Sequence, residues 1–345
     1  MSGLVASTVA ENLQEIYLQE GLHSQFIIVG CMMNSKSETQ QQLPKINFSG
    51  LVVGTPEWIA VRTEVMNALH VYGTFEAVYD PHLDPELREQ VFKKAITELF
   101  DLPTHVKSRS VTYTSKSYIP SEQGFTVYEG NVESIHSVQS LTSLMWPQGN
   151  SHFCETMQRY AEAMKELNQM ITRMIMESLG VDKYYDEMNQ KINYMLRAIC
   201  YKNEEDKDDL YMGTHTDIHF LTIVAQHEVD GLEVLIKSGQ WIKPAPYCYI
   251  VFLGDSLQAW TNGRVQAIGH RIRKNKSHDT RYVTQFMSRG AKEFIIQAPP
   301  ELIDVTHPVL YKPFDFNDYF QFYLSKLGSM PTNPLKTFCG IEKPV

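Results

Sequence analysis

Residues 220–236 read FLTIVAQHEVDGLEVLI, and this stretch contains two short apolar runs on either side of the turn-forming pair Asp230-Gly231. The runs are Phe220–Val224 and Leu232–Ile236, and their length and composition are typical of β-strands. Five more runs of this kind occur from Lys191 onward: Ile192–Tyr201, Tyr249–Leu253, Val265–Arg273, Arg281–Met287 and Phe294–Ile296. Short strands at such regular spacing indicate a β-sandwich or a jelly roll.

The residues that flank this β-rich part favour helices. Pro56–Tyr72, Asp84–Phe100 and Asp315–Leu327 have the features of helices. The clearest helix begins at Ser151, which can cap it, and ends at Gly180, with apolar residues at every third or fourth position between them. The sequence therefore predicts an α+β protein in which N-terminal and flanking helices support a jelly roll.

Composition divides the chain into four segments. Residues 1–43 form an N-terminal appendage and polar linker. Residues 44–190 form a mainly helical region, within which residues 104–150 show no sustained period and are predicted to be a lid loop. Residues 191–300 form the jelly-roll core, and residues 301–345 form a helical segment that closes it.

Charge and cysteine usage limit the function classes. The 345 residues carry a formal net charge of −9, so a nucleic-acid binder, which needs a basic surface, is not expected. No apolar run approaches the roughly 20 residues that a membrane span requires, and the N-terminus lacks the features of a signal peptide. The five cysteines form no CxxC pair, which argues against disulfides and thiolate zinc sites. We expect a cytoplasmic protein, monomeric by default, whose partner is a small molecule.

The β-rich half contains a group of residues suited to metal chemistry. His215-Thr216-Asp217 places an imidazole and a carboxylate two positions apart, and residues at this spacing project to the same face of a strand. His270 lies in a later predicted strand, and Arg281 begins the next one after a polar turn. A His-x-Asp pair alone is weak evidence for a metal site, but His270 and Arg281 strengthen that evidence.

Two imidazoles and one carboxylate leave three positions of an octahedral metal open, which suits Fe(II) oxygenases. The same three ligands could also hold a hydrolytic zinc ion. Arg281 favours iron, because a guanidinium forms a bidentate clamp for a carboxylate. A dicarboxylate cosubstrate could then bind the metal at one end and Arg281 at the other.

The chain resembles the plant 2-oxoglutarate-dependent dioxygenases, and in particular the alkenyl- and hydroxyalkyl-producing group of glucosinolate metabolism. The resemblance covers residues 44–341. The motifs that carry it are His215-Thr216-Asp217, Gly231-Leu232-Glu233-Val234, Leu253-Gly254-Asp255-Ser256, Asn262-Gly263-Arg264, His270-Arg271, Thr280-Arg281-Tyr282, residues 144–150, residues 176–180 and residues 335–341.

This resemblance implies a double-stranded β-helix, the cupin-like form of the jelly roll. It implies Fe(II) bound by His215, Asp217 and His270, with 2-oxoglutarate as cosubstrate and its distal carboxylate on Arg281. O2 is the oxidant and ascorbate the reductant. The expected reaction is hydroxylation, desaturation, demethylation or ring formation on a small plant specialised metabolite.

The chain departs from the family pattern near the cosubstrate site. The family has Arg-x-Ser, in which the serine hydroxyl shares the distal carboxylate, whereas this chain has Val283. Losing a hydrogen bond to a charged group costs about 1.5–3 kcal/mol unless another group replaces it. Tyr201 and Thr222 are the candidates for that replacement. The family's Asn-Tyr-Tyr is also changed, to Ile199-Cys200-Tyr201.

Strand spacing suggests which residues meet the substrate. Gln285, Met287 and Arg289 are evenly spaced from Arg281 and should face the same interior, and Arg289 would favour an anionic or carbonyl-bearing substrate. His219 is evenly spaced from Asp217 and is either a substrate contact or a structural histidine. Lid residues are expected from the irregular segment: Tyr118, Tyr128 and Glu129.

Two other functions stay open at this point. An iron oxidase of the same fold would need no 2-oxoglutarate. Val283 is consistent with this alternative, because it replaces the serine that shares the distal carboxylate in the family. A cupin-like small-molecule binder would have lost catalysis altogether. The intact set of His215, Asp217 and His270 argues against the binder, because a scaffold without catalysis has little reason to keep all three.

Overall fold

The computed structural model of the protein describes residues 42–79, 86–115, 122–130, 136–202, 209–274 and 279–341. Most of the predicted appendage 1–43, the start of the predicted helix at Asp84, and Tyr118 lie outside these residues. Within the described ranges, no helix combines the length and the apolar composition needed to cross a bilayer.

Helices lie both before and after the strands of the core. In chain order they are α1 (Pro56–Val71), α2 (Glu86–Gln90), α3 (Ile96–Asp101), α4 (Thr104–Lys107), α5 (His136–Met145), α6 (Ser151–Ser178), α7 (Tyr185–Gln190), α8 (Asp255–Trp260), α9 (Phe316–Ser325) and α10 (Pro334–Cys339). A π-helical turn, Val91–Ala95, joins α2 to α3. The predicted helices that became α1, α6 and α9 are confirmed, with ends within a few residues of those expected.

The N-terminus of α6 differs from the prediction by one residue. Asn150, rather than Ser151, is the N-cap, because its side chain accepts a hydrogen bond from the backbone N–H of Phe153 at 3.0 Å. Asparagine is at least as good a cap as serine, since its side-chain oxygen satisfies one of the unpaired N–H groups of the first turn. The apolar stripe of the helix then falls where the spacing placed it.

The strands belong to three sheets. They are β1 (Lys45–Asn47), β2 (Thr74–Val78), β3 (Thr114–Ser115), β4 (Glu122–Gly130), β5 (Ile192–Tyr201), β6 (Leu210–His215), β7 (Leu221–Gln226), β8 (Leu232–Leu235), β9 (Trp241–Ile242), β10 (Tyr249–Leu253), β11 (His270–Arg273), β12 (Arg281–Gly290), β13 (Ile295–Ile296) and β14 (Phe314–Asp315). The large sheet has the order β1-β2-β10-β7-β12-β5-β4-β3, the second has the order β6-β11-β8-β9, and β13 pairs with β14.

Two buried clusters show how the layers pack. The larger cluster lies between the large sheet and the helices, and it contains Phe286 of β12 and Ile171 of α6. The smaller cluster lies between the two main sheets, and it contains Val283 of β12 and Val234 of β8. Successive residues of β12 therefore alternate between the helix side and the interior of the roll, as a strand with both faces covered must.

The predicted lid loop 104–150 contains regular structure in its described parts. It includes α4, β3, β4 and α5, and β4 pairs along the length of β5. A register shift between Thr126 and Tyr128 interrupts the alternation of β4, so no single period runs through its sequence. The short strands β1, β2 and β3 also come from the segment predicted to be mainly helical, and they lie at the two ends of the large sheet.

A buried hydrogen bond joins the helix layer to the roll. The hydroxyls of Tyr160 on α6 and Thr284 on β12 lie 2.7 Å apart, and both residues are buried. We expect Tyr160→Phe to lower the free energy of unfolding by about 1–3 kcal/mol, because it leaves the Thr284 hydroxyl buried without a partner. Urea denaturation measures this change.

The matched control is the double variant Tyr160→Phe with Thr284→Val. Because it removes both polar partners and keeps their shapes, it should recover most of the loss. A double variant as unstable as the single one would show that the hydrogen bond is not what stabilises this contact.

Candidate active site

Three side chains that could hold a metal ion meet at the ends of β6 and β11 in the second sheet. His215 is the last residue of β6, and His270, the first residue of β11, is its cross-strand partner. Asp217 follows two residues after β6 ends, so the pair lies at a strand terminus rather than within a strand as predicted. Ligand atoms of the three residues all lie within 4.8 Å of one another, a separation that a single ion can bridge.

Neighbouring groups fix the orientation of each ligand. Nδ1 of His215 lies 2.9 Å from the carbonyl oxygen of Gly213, which can only accept, so Nδ1 carries the proton and Nε2 is left to bind metal. The ring of His270 stacks on Phe252, with centroids 4.2 Å apart. The backbone N–H of Asp255 donates to the backbone oxygen of Asp217 at 2.7 Å, which holds the loop after β6.

The electrostatics of the group suit a metal ion. Burial raises the pKa of the Asp217 carboxyl, but the imidazoles of His270, His215 and His219 outweigh this and hold that pKa below its ordinary value. Burial, and then His215, lower the pKa of His270 to about 4. A carboxylate and neutral imidazoles are the protonation states that metal ligands need. This donor set fits one face of an octahedral Fe(II) ion.

Gly254 lies directly behind this loop. A Cβ at this position would lie 1.9 Å from the backbone oxygen of His219 and 3.0 Å from that of Asp217. We expect Gly254→Ala to weaken the binding of a divalent metal at least about tenfold, since it displaces the loop that carries Asp217. Metal titration followed by calorimetry measures the affinity.

Gly213→Ala is the matched control for Gly254→Ala. Gly213 is next to the same metal motif, but a Cβ there would meet nothing within 4 Å. The affinity of the Gly213→Ala variant for metal should stay within a factor of about two of that of the unchanged protein. Equal affinities in both glycine variants would show that the loop tolerates displacement.

Arg281 lies fully buried in the roll at the start of β12. Its Nη2 donates to Oε1 of Gln226 at 3.1 Å, and its guanidinium carbon lies 5.2 Å from the ring centroid of Tyr201. Nε and Nη1 have no hydrogen-bond partner among the described residues. Burial lowers the pKa of Arg281 from its usual value, but arginine still carries its charge at neutral pH.

The three other predicted cosubstrate residues lie in different places. Val283 is buried in the smaller cluster, and its cross-strand neighbours are Ile199 and Gln226. Tyr201 is the cross-strand partner of Arg281. Thr222 lies four residues from Gln226 on β7 and is one of the groups that lower the pKa of Asp217. The structure thus places Thr222 near Asp217 and not beside Val283.

Arg289 and His219 lie together near Asp217 of the metal group, the set formed by His215, Asp217 and His270. The guanidinium of Arg289 lies 5.9 Å from the ring centroid of Phe316 on α9, and the ring of His219 lies 5.8 Å from the same ring. Arg289 also donates to the carboxylate of Glu129. Burial lowers the pKa of His219 to about 4, so it is neutral at pH 7.

The remaining substrate candidates divide between the two faces of the sheet. Met287 is the partner of Thr222 across the sheet, so it lies level with the metal group, and Gln285 is two residues away on the same face of β12. Tyr128 belongs to the larger cluster on the helix side, so the structure does not bring it to the metal group. The register shift in β4 explains this, because it changes which residues of β4 face inward.

A hydrogen-bonded link that the sequence did not predict joins α9 to the metal loop, the segment after β6 that carries Asp217. Tyr319 of α9 donates to Oδ2 of Asp255 at 2.6 Å, and Thr216 donates to the same oxygen at 3.2 Å. Burial raises the pKa of Asp255 to about 7. The available signal is Leu253-Gly254-Asp255-Ser256, which the sequence shows only as one of the motifs of the family resemblance.

Comparisons with known proteins agree with this geometry. The family model described as the 2OG-Fe(II) oxygenase superfamily matches residues 187–290. The protein named "Probable 2-oxoglutarate-dependent dioxygenase AOP1.2" of Arabidopsis thaliana is 36% identical over 87% of this chain and 96% of its own length. The "2-oxoglutarate-dependent dioxygenase AOP3" of the same plant is 29% identical over 87% of this chain and 98% of its own length.

Solved structures show the same architecture. The rice dioxygenase for auxin oxidation superposes with a TM-score of 0.72 at 26% identity, covering 86% of this chain and all of that one. The Arabidopsis thaliana dioxygenase for auxin oxidation 1, in complex with 2-oxoglutarate, has a TM-score of 0.66 at 24% identity over 77% of this chain. The predicted α+β jelly roll is confirmed. The chain belongs to the 2OG-Fe(II) oxygenase superfamily and is a 2-oxoglutarate-dependent dioxygenase.

Proposed function

We propose that this enzyme holds Fe(II) with His215, Asp217 and His270, holds the distal carboxylate of 2-oxoglutarate with Arg281, and oxidises a small plant specialised metabolite. Iron held by these three residues would supply the activation of O2, with oxidative decarboxylation of 2-oxoglutarate to succinate and CO2. The observation that carries the proposal is Arg281, whose buried guanidinium shares the interior of the roll with three metal-binding side chains.

A buried guanidinium with two unpartnered nitrogens strongly favours an anionic ligand. An uncompensated charge inside a protein costs several kcal/mol, so folds seldom retain one without a partner. The hydrogen-bond partner Gln226 offers Arg281 only a neutral oxygen, and the carboxylate of Asp230 acts on it through its charge alone. A carboxylate would satisfy Nε or Nη1 with a charge-assisted hydrogen bond, which is about twice as strong as a neutral one.

On this proposal the residues of the chain bind, orient and exclude water. His215, Asp217 and His270 occupy one face of the metal and leave the other positions for cosubstrate and O2. Met287, Gln285, His219 and Arg289 position the substrate, and α9 covers them through Phe316. The names of the curated relatives and of the auxin-oxidising structures support a plant metabolite as the substrate.

A second candidate is an iron oxidase of the same fold that does not use 2-oxoglutarate. The buried Val283, which provides no hydroxyl near Arg281, is the observation that favours it. A catalytically silent binder is a third candidate, and one relative, 28% identical, bears the name "Probable inactive 2-oxoglutarate-dependent dioxygenase AOP2". The complete metal-binding group of this chain argues against the silent form.

An anaerobic titration tests the proposed function. Purified protein receives Fe(II) and then 2-oxoglutarate, and absorbance follows the visible charge-transfer band that forms when the keto acid chelates iron. We expect the band, and succinate production once O2 and a substrate are added. Iron binding without the band would overturn the proposal in favour of the oxidase.

Further parts of this proposal concern the reductant, the location and oligomeric state of the protein, and its domain boundaries. We propose that ascorbate keeps the iron reduced, that the protein is a cytoplasmic monomer, and that residues 191–300 carry the catalytic core while 301–345 close it. The contact of α9 with the metal loop through Tyr319 and Asp255 supports the last point. Light scattering of the purified protein measures the monomer mass, and a dimer mass would contradict it.

A further inference from the structure

The end of the roll around Arg281 lacks the hydroxyl that position 283 would provide in relatives with serine. Val283 is buried there, between Ile199 and Gln226 on the neighbouring strands. A carboxylate on Arg281 would need a second donor, because each of its oxygens accepts more than one hydrogen bond. Thr222 does not meet this need, because it lies at the metal end of β7.

Tyr211 of β6 lies opposite this position, on the second sheet. It is buried in the smaller cluster together with Val283 and Tyr201. Its ring centroid lies 5.0 Å from that of Tyr201, and the guanidinium of Arg281 lies 5.2 Å from the Tyr201 centroid. Tyr211, Tyr201 and Arg281 therefore form one contiguous group that spans the interior between the two sheets.

The electrostatic environment of Arg281 supports this proximity. Burial lowers the pKa of Arg281, whereas the phenol groups of Tyr201 and Tyr211 and the carboxylate of Asp230 raise it. Both phenols are therefore close enough to interact with the guanidinium. A phenol can donate one hydrogen bond to a carboxylate, as a serine hydroxyl does.

We propose that Tyr211 donates a hydrogen bond to the distal carboxylate of 2-oxoglutarate beside Arg281, in place of the serine hydroxyl that Val283 lacks. This inference rests on the proposed use of 2-oxoglutarate. Tyr211 is four residues before His215 on the same strand, so β6 carries both a metal ligand and a cosubstrate ligand. Metal and cosubstrate are then held by one rigid element.

Calorimetry with Mn(II)-loaded protein tests the proposal without turnover, because Mn(II) accepts the same nitrogen and oxygen ligands. We expect Tyr211→Phe to raise the Kd for 2-oxoglutarate about tenfold or more, which is the effect of losing one hydrogen bond to a charged group. In the Tyr211→Phe background, Val283→Ser should restore most of the affinity. The Kd for 2-oxobutyrate, which has no distal carboxylate, should not change.

Tyr282→Phe is the matched control. Tyr282 is next to Arg281 on β12 but faces the helix side, where its ring lies 5.9 Å from that of Phe100. The Kd of the Tyr282→Phe variant for 2-oxoglutarate should equal that of the unchanged protein.

Two results would overturn the role of Tyr211. One is an unchanged Kd for 2-oxoglutarate in Tyr211→Phe. The other is an equal loss for 2-oxobutyrate, which would indicate a structural effect on the metal. Failure of the proposed function itself looks different, because the unchanged protein would then bind metal but no 2-oxoglutarate.

Discussion

Replacing Asp217 with alanine is expected to abolish Fe(II)-dependent turnover. The change removes the carboxylate from the metal-binding group and leaves two imidazoles whose ring centroids are 4.2 Å apart. Mutating an outer-shell partner already costs about 10–100-fold in metal affinity, so losing a direct ligand should cost more than 100-fold. Anaerobic Fe(II) titration and succinate formation measure the two effects.

Asp186→Ala is the control for this variant, because Asp186 is an exposed carboxylate on α7. It should bind iron and turn over as the unchanged protein does. Binding of a small-molecule substrate to Asp217→Ala should survive, since the pocket residues are intact. Turnover that persists in Asp217→Ala would show that the metal assignment is wrong.

Replacing Arg281 with methionine is expected to remove 2-oxoglutarate binding while Fe(II) binding remains. Breaking a buried charge pair by removing one partner costs about 3–5 kcal/mol, which corresponds to a Kd raised at least 100-fold. In the absence of 2-oxoglutarate the same variant should be as stable as the unchanged protein or more stable, because a buried charge with two unpartnered nitrogens has been replaced by an apolar side chain of similar size. Calorimetry and urea denaturation separate these opposite effects.

Arg281→Lys serves as the companion variant. It keeps the positive charge but loses the planar fork of donors, so it should bind 2-oxoglutarate more weakly than arginine and more tightly than methionine. If the Arg281→Met variant bound 2-oxoglutarate as tightly as the unchanged protein does, Arg281 would not hold the distal carboxylate. The iron oxidase would then be the better interpretation.

The long elements could be predicted from the sequence because their signals are local. The apolar stripe of α6 and the continuous apolar run of β10 each lie within a single element, and both elements formed where expected. The three residues of the proposed metal site could be singled out for a related reason, and the structure brings them together. Their residue types and spacing carry the chemistry, even though Asp217 lies past the end of its strand.

Other features depend on contacts between distant parts of the chain, which local patterns do not record. The predicted strand Val265–Arg273 begins only at His270, because the backbone N–H of Ala267 donates to the Gln258 side chain instead of a neighbouring strand. The link from Tyr319 to Asp255 and the approach of Tyr211 to Arg281 arise only once the sheets and α9 have assembled. Periodicity cannot reveal such pairs.

The order of strands in the large sheet has a consequence for how the protein is synthesised. Thr74 of β2 pairs with Phe252 of β10, and β12, which lies in the middle of the sheet, ends only at Gly290. β1 is available to β2 early, but the other side of β2 has no partner until most of the chain has left the ribosome. Such distant pairings slow folding, because the chain loses the entropy of closing long loops before any contact between the strands stabilises it. We expect the nascent chain to expose unpaired strand edges during this interval and to depend on chaperones for its yield.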